Sequence, residues 1–163
     1  MRYHNITKDD MLNGEGLRTV LWVAGCSHHC PQCHNPVTWD INGGLVFDEQ
    51  AKEELFEELK KDYVSGVTFS GGDPFHLENR EEIGALAKEI REKLPDKTIW
   101  LYTGYEWEEI CHLSFLSNID VIVDGKFKIE EKDNNLHWKG SANQRVIDVK
   151  ASLRAGEVRL YQE

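Results

Sequence analysis

Leu17-Arg18-Thr19-Val20-Leu21-Trp22-Val23 runs straight into Ala24-Gly25-Cys26-Ser27-His28-His29-Cys30-Pro31-Gln32-Cys33. The first part is rich in Val, Leu and Trp and reads as a strand buried on both faces. The second part is a loop with three cysteines within eight residues, starting where the strand stops. The same pairing of apolar strand and short loop recurs. Residues 66–69 form an apolar strand followed by Ser70-Gly71-Gly72-Asp73-Pro74. Residues 98–102 form another, followed by Thr103-Gly104-Tyr105, and residues 121–124 a fourth, closed by Gly125.

Between these strands the apolar residues change to helical spacing. Residues 48–63 carry Ala51, Leu55, Phe56, Leu59 and Tyr63 at that spacing. Acids open this segment and Lys60 and Lys61 sit near its end, as a helix dipole prefers. Residues 79–94 put Ile83, Leu86, Ala87, Ile90 and Leu94 on one face; Asn79 with Glu82 resembles a cap, and Pro95 stops the helix. A short helix is expected at residues 107–111, a further strand at 145–149 and one more at 158–161. This alternation predicts βαβ units in a mainly parallel sheet. Such a sheet brings the cysteine loop, the glycine turn and Thr103-Gly104-Tyr105 to one edge, where these folds keep their sites. The 163 residues suit a single domain but fall short of the roughly 250 of a full barrel. The expected fold is α/β, a partial (β/α) barrel over residues 1–163.

Hydrophobic content of 40% and charged content of 29% are those of an ordinary globular protein. A net charge of −10 argues against binding nucleic acid through its phosphates. No apolar run approaches a membrane span, and the polar first ten residues lack the apolar core of a signal peptide, so a cytoplasmic location is expected.

Cys26, Cys30 and Cys33 have the spacing C-x3-C-x2-C, which lets three thiolates converge on one metal site. Clustered cysteines favour a metal over a disulfide framework, which would spread its cysteines along the chain. The fourth cysteine, Cys111, lies beside Trp107 and Ile110 and is expected to be small apolar filler. An iron–sulfur cluster with three local thiolates would keep one iron open, as a catalytic site requires. Alternatively, His28, His29 or His34 could complete a Cys3His zinc site. Spacing alone leaves both readings open. Gly71 and Gly72 remove side chains, so a ligand can approach their backbone, and Asp73 could accept a hydrogen bond from an ammonium group. A tight strand–helix turn explains the same three residues.

The stretch Cys26-Ser27-His28-His29-Cys30-Pro31-Gln32-Cys33-His34-Asn35-Pro36 resembles the cluster loop of the radical S-adenosylmethionine family. The glycine turn resembles that family's Gly-Gly-Glu-type motif, with Asp73 in place of the commoner Glu. Asn13-Gly14-Glu15-Gly16-Leu17-Arg18-Thr19, Trp100-Leu101-Tyr102-Thr103-Gly104-Tyr105, Val123-Asp124-Gly125-Lys126-Phe127 and Gly140-Ser141-Ala142-Asn143-Gln144-Arg145 narrow the likeness. In this order they resemble the glycyl-radical-enzyme activases that serve anaerobic ribonucleoside-triphosphate reductase.

The resemblance implies that Cys26, Cys30 and Cys33 hold three irons of a [4Fe–4S] cluster. S-adenosylmethionine would bind the fourth. It would be positioned by the backbone of Gln32, Cys33 and His34 and by Gly71, Gly72 and Asp73. Reductive cleavage would give methionine and a 5′-deoxyadenosyl radical that takes a hydrogen atom from a glycine of the reductase. A flavodoxin-like protein is the implied electron donor. An activase of another glycyl-radical enzyme, such as pyruvate formate-lyase, would share this chemistry. Arg18 and Lys126 could serve such a site, or could be an ion pair with a surface acid and a solvated surface cation.

Overall fold

The computed structural model describes residues 1–28, 30 and 36–162. One seven-stranded sheet organises them, with spatial order β3-β1-β2-β4-β5-β6-β7. Its centre is four parallel strands: β2 (Arg18–Val23), β4 (Gly66–Gly71), β5 (Thr98–Tyr102) and β6 (Val121–Asp124). These are the four apolar runs, and their burial on both faces explains why they lack polar alternation.

Register fixes which residues share a face. Leu21, Phe69, Leu101 and Ile122 line up across the sheet, and all four are fully buried beneath the helices. Their neighbours Thr68, Trp100 and Val121 line up on the opposite face. Helix α1 (Glu49–Leu59) is opened by Asp48, whose carboxylate accepts the Ala51 N–H at 2.9 Å. Helix α2 (Arg80–Lys93) buries Ile83, Leu86, Ala87 and Ile90, with acids in its first turn and Arg91 and Lys93 in its last. Helix α3 (Trp107–Ile110) is one turn held by a capping box between Glu106 and Glu109.

Three antiparallel strands flank the parallel core. β1 (Arg2–Asp10) pairs with both β2 and the two-residue β3 (Leu45–Val46), and β7 (Arg145–Asp148) closes the other edge against β6. Helix α4 (Val149–Ala155) follows β7, capped by Asp148 and ended by Gly156 at φ 73. The strand expected at residues 158–161 is not formed. A single bridge joins Leu160 to Ile147, while the Tyr161 ring packs on Trp100 at 5.2 Å. Helix α1 stops at Leu59, short of Tyr63, because the chain turns there to send Val64 into the core and leaves Tyr63 exposed.

The sheet face opposite the helices is covered by loops rather than by further βα units. Trp138 packs edge-on against Trp100 at 4.9 Å, and its carbonyl accepts the Tyr102 hydroxyl at 2.6 Å. Burial raises the pKa of that phenol. At the amino end of β2, Arg18 is fully buried. It donates to Thr68 Oγ1, Thr98 Oγ1 and the carbonyls of Glu15, Val67 and Thr98, all uncharged oxygens. Burial pushes its pKa down to about 10. It therefore fills the floor of this face instead of pairing with a surface acid.

Candidate functional site

The parallel register delivers the ends of β2, β4 and β5 to one edge of the sheet. The cysteine loop leaves from β2, the glycine turn from β4 and Thr103-Gly104-Tyr105 from β5, and the three meet there as expected. Cys26 and Cys30 are both half-buried in the first of these loops. Gln32, Cys33 and His34 lie outside the described residues.

The root of the cysteine loop is held by backbone hydrogen bonds. Gly25 N–H donates to Thr38 O at 2.6 Å, and Cys26 N–H donates to Trp39 O at 3.1 Å. Asp73 N–H donates back to Gly25 O at 2.7 Å, so the glycine turn and the cysteine loop share a ladder rung. Asn79 precedes α2, but its side chain makes no cap bond. It reaches instead to the carbonyls of Ala24 at 2.8 Å and Asp73 at 3.3 Å.

Gly71 and Gly72 are explained by this packing. Gly71 has φ 105, and a Cβ there would lie 2.5 Å from Val23 N. A Cβ on Gly72 would lie 2.6 Å from both Gly25 O and Thr38 O.

Asp73 is 1% exposed, and its carboxylate is engaged from three directions. Oδ1 accepts from Phe75 N at 2.8 Å and Thr103 Oγ1 at 2.8 Å. Oδ2 accepts from His28 Nε2 at 2.6 Å and Gly104 N at 2.9 Å. No spacing rule pointed to His28 as the partner of Asp73, 45 positions away. Thr103 was visible only as part of a Gly turn.

Ser70 and Gly71 also border a cavity of about 360 Å³ on the loop-covered face of the sheet, with Tyr102, Trp138, Gly140 and Gln144 among its other walls. Two of the sequence motifs build this wall by binding each other. Gln144 accepts from Gly140 N and Ser141 N and donates to Gly125 O, while Asn143 donates to Lys126 O. Arg145 makes a two-pronged contact with the buried Asp124 at 3.1 and 2.6 Å and reaches Glu108 at 2.8 Å. Those carboxylates raise the Arg145 pKa further, and Arg145 in turn holds Glu108 below the usual carboxylate range. Lys126 is exposed. Cys111, expected as buried filler, is instead exposed: the one-turn helix α3 ends at Ile110, and Cys111 caps it at the surface.

The donor chemistry fits an iron–sulfur cluster. Thiolates are its usual ligands, and two of the three sit half-buried on a loop fixed at its root. Comparison with known proteins points the same way. Residues 12–147 match the family model described as a 4Fe-4S single cluster domain. The chain thus carries an iron–sulfur domain of the single-cluster class.

Relatives narrow the class. A protein of Enterobacteria phage T4 named anaerobic ribonucleoside-triphosphate reductase-activating protein is 43% identical over 146 residues, covering 90% of this chain and 93% of its own length. Proteins of the same name from Escherichia coli (strain K12) and Haemophilus influenzae are each 39% identical over 150 residues, covering 90% of this chain and 97% of their own. The chain belongs to the family of anaerobic ribonucleoside-triphosphate reductase-activating proteins. Among the described residues, no helix is long and apolar enough to cross a membrane.

Proposed function

We propose that this chain activates an anaerobic ribonucleoside-triphosphate reductase by placing a radical on one of its glycines. Under this reading the sheet is a single-domain partial barrel of the radical S-adenosylmethionine type. A flavodoxin-like protein supplies electrons, and the work is done in a reducing cytoplasm that keeps the thiols available. When bound and reduced, a [4Fe–4S] cluster supplies the electron that splits S-adenosylmethionine to methionine and the radical fragment that takes the glycine hydrogen.

The observation that carries this reading is the convergence of the cysteine loop, the glycine turn and the Thr103 loop at one sheet edge, beside a cavity bordered by Ser70 and Gly71. The chain's own residues have distinct parts in it. Cys26 and Cys30, with Cys33, hold the cluster. Ser70 and Gly71, which border the cavity, offer backbone donors and acceptors to the cosubstrate, aided by the backbone of Gln32, Cys33 and His34. Gly72 lets the turn lie flat against the cysteine loop, and Asp73 supports that arrangement from beneath. The side of the sheet covered only by loops gives a bulky partner room to insert a flexible glycine segment. The reaction removes a hydrogen atom from a backbone Cα, so no general base is assigned.

The test is anaerobic mixing of the reconstituted protein with the reductase, dithionite and S-adenosylmethionine, followed by electron paramagnetic resonance. A glycyl doublet on the reductase is expected, together with one methionine and one 5′-deoxyadenosine per event. Replacement of Cys26, Cys30 or Cys33 by Ala should abolish both. Normal cleavage in any of the three variants, or a purified chain that carries zinc and no iron, refutes the proposal.

A further inference from the structure

A carboxylate offers about four lone-pair sites. In Asp73 all four are taken, by Phe75 N, Thr103 Oγ1, His28 Nε2 and Gly104 N. With 1% of the residue exposed, no face of this carboxylate is left for the ammonium of a ligand. His28 has the opposite kind of position. It stands midway between Cys26 and Cys30, yet its side chain is only 6% exposed. Its ring meets Tyr105 edge-on at 4.7 Å, and the Arg80 guanidinium lies over the other ring at 5.3 Å. Gly104 has no Cβ because the His28 ring occupies that space, 2.4 Å from where the atom would be. The backbone bonds of Gly25 and Cys26 hold only the root of the cysteine loop. His28 holds its middle.

We infer that His28 and Asp73 are positioning residues whose hydrogen bond fixes the middle of the cysteine loop against the glycine turn, and that Asp73 serves the site through this bond rather than by touching the cosubstrate. The inference rests on Cys26 and Cys30 being cluster ligands only for its consequence, which is the placing of their thiols. The bond itself is a property of the chain. At 2.6 Å to a carboxylate, it belongs to the strong class of hydrogen bonds. Losing such a bond corresponds to a change of about tenfold to a hundredfold in the equilibrium it controls.

The experiment compares wild type, His28→Ala, His28→Gln and Asp73→Asn as full chains, each checked for a cooperative melt. The Gln amide restores an N–H at about the reach of Nε2. Hydrogen exchange of the apoprotein is read over residues 24–28, and iron release to a chelator is read on the anaerobically reconstituted protein. His28→Ala should quicken both by about tenfold or more, and His28→Gln should return them to within about threefold of wild type. If His28→Ala does not fold, His28→Asn, whose amide is too short to reach Oδ2, carries the same comparison against His28→Gln.

S-adenosylmethionine affinity then separates positioning from contact. In Asp73→Asn it should fall only in step with the loosened loop, by a factor similar to that in His28→Ala. Unchanged exchange and iron release in His28→Ala overturn the inference. So does an Asp73→Asn variant that loses S-adenosylmethionine affinity while residues 24–28 exchange as in wild type. A wild-type chain that takes up no iron sinks the proposed function instead, and the apoprotein exchange still decides whether His28 anchors the loop.

Discussion

Replacing Gly72 by Ala tests whether the glycine turn is shaped by the chain or by its ligand. The new Cβ would sit 2.6 Å from Gly25 O, 2.6 Å from Thr38 O and 2.9 Å from Gly25 C. Ordinary contact begins near about 3.4 Å, so two carbonyls must each retreat by roughly 0.5–0.8 Å. Neither can do so without cost, since Gly25 O accepts Asp73 N at 2.7 Å and Thr38 O accepts Gly25 N at 2.6 Å. Overpacking costs about 1–3 kcal/mol, and two weakened hydrogen bonds add about 0.5–1.5 kcal/mol each. The sum is about 2–6 kcal/mol. At about 2–4 °C per kcal/mol for a chain of this size, the melting temperature should fall by about 4–24 °C. Circular dichroism melts of the apoprotein measure this directly. Reconstituted protein should also hold less iron, because Gly25 immediately precedes Cys26. A Gly72→Ala variant that melts with wild type, holds full iron and has lost only S-adenosylmethionine affinity would refute this packing argument.

Arg145→Ala should lower stability by about 2–4 kcal/mol in a thermal melt, because it strands the buried Asp124 carboxylate with Trp107 N as its remaining hydrogen-bond partner among the described residues. Arg18→Lys should cost about 2–4 kcal/mol by the same assay, since an ammonium cannot reach the five acceptors that the planar fork serves; a melt equal to wild type would show that the fork geometry is dispensable. Lys52 and Lys93 hold Glu89 below its ordinary pKa, so its contribution is present above the usual carboxylate range and is lost as pH falls through the folded value. Glu89→Gln should therefore be less stable than wild type at neutral pH, by up to about 1 kcal/mol, and the two curves should converge in acid. Cys111→Ala should keep its full cluster iron, because Cys111 is exposed and its thiol approaches the Glu108 carbonyl.

The four parallel strands were legible because burial on both faces leaves them as unbroken apolar runs, and the loops after them followed from that. β1 was not legible. Its residues Arg2–Asp10 are mostly polar, and only Ile6 is buried, so its strand state comes from pairing with β2 and β3 and not from its own pattern. Helix α4 buries only Val149 and Ser152 along seven residues, too few to show a period. Val158 and Leu160 have strand character, but the backbone beyond Asp148 turns into α4 first and returns for a single bridge. At the site, the residue types were readable and their partners were not. Asp73 reads from sequence as an acid that could meet a ligand, and sequence spacing carries no trace of the His28 and Thr103 that its carboxylate meets in the structure. Asn79 looked like a cap because its position is that of a cap, although its side chain is spent on Ala24 and Asp73.

The role of Asp73 follows from the geometry of a parallel sheet. Neighbouring strands lie about 4.8 Å apart, so loops leaving β2, β4 and β5 on the same side crowd together and bring backbone donors into a space that excludes water. A buried acceptor with several lone pairs resolves this by taking a donor from each loop: His28 from the first, Phe75 N from the second, Thr103 Oγ1 and Gly104 N from the third. The short Asp side chain keeps the carboxylate within its own turn, where all four donors converge. A Glu at this position would carry the carboxylate one methylene farther out and away from Phe75 N. The chain therefore gains three mutually fixed loops from one residue, without the additional βα units of a full barrel. In the same arrangement Ser70 and Gly71 border the cavity, while the Asp73 carboxylate is spent on the three loops.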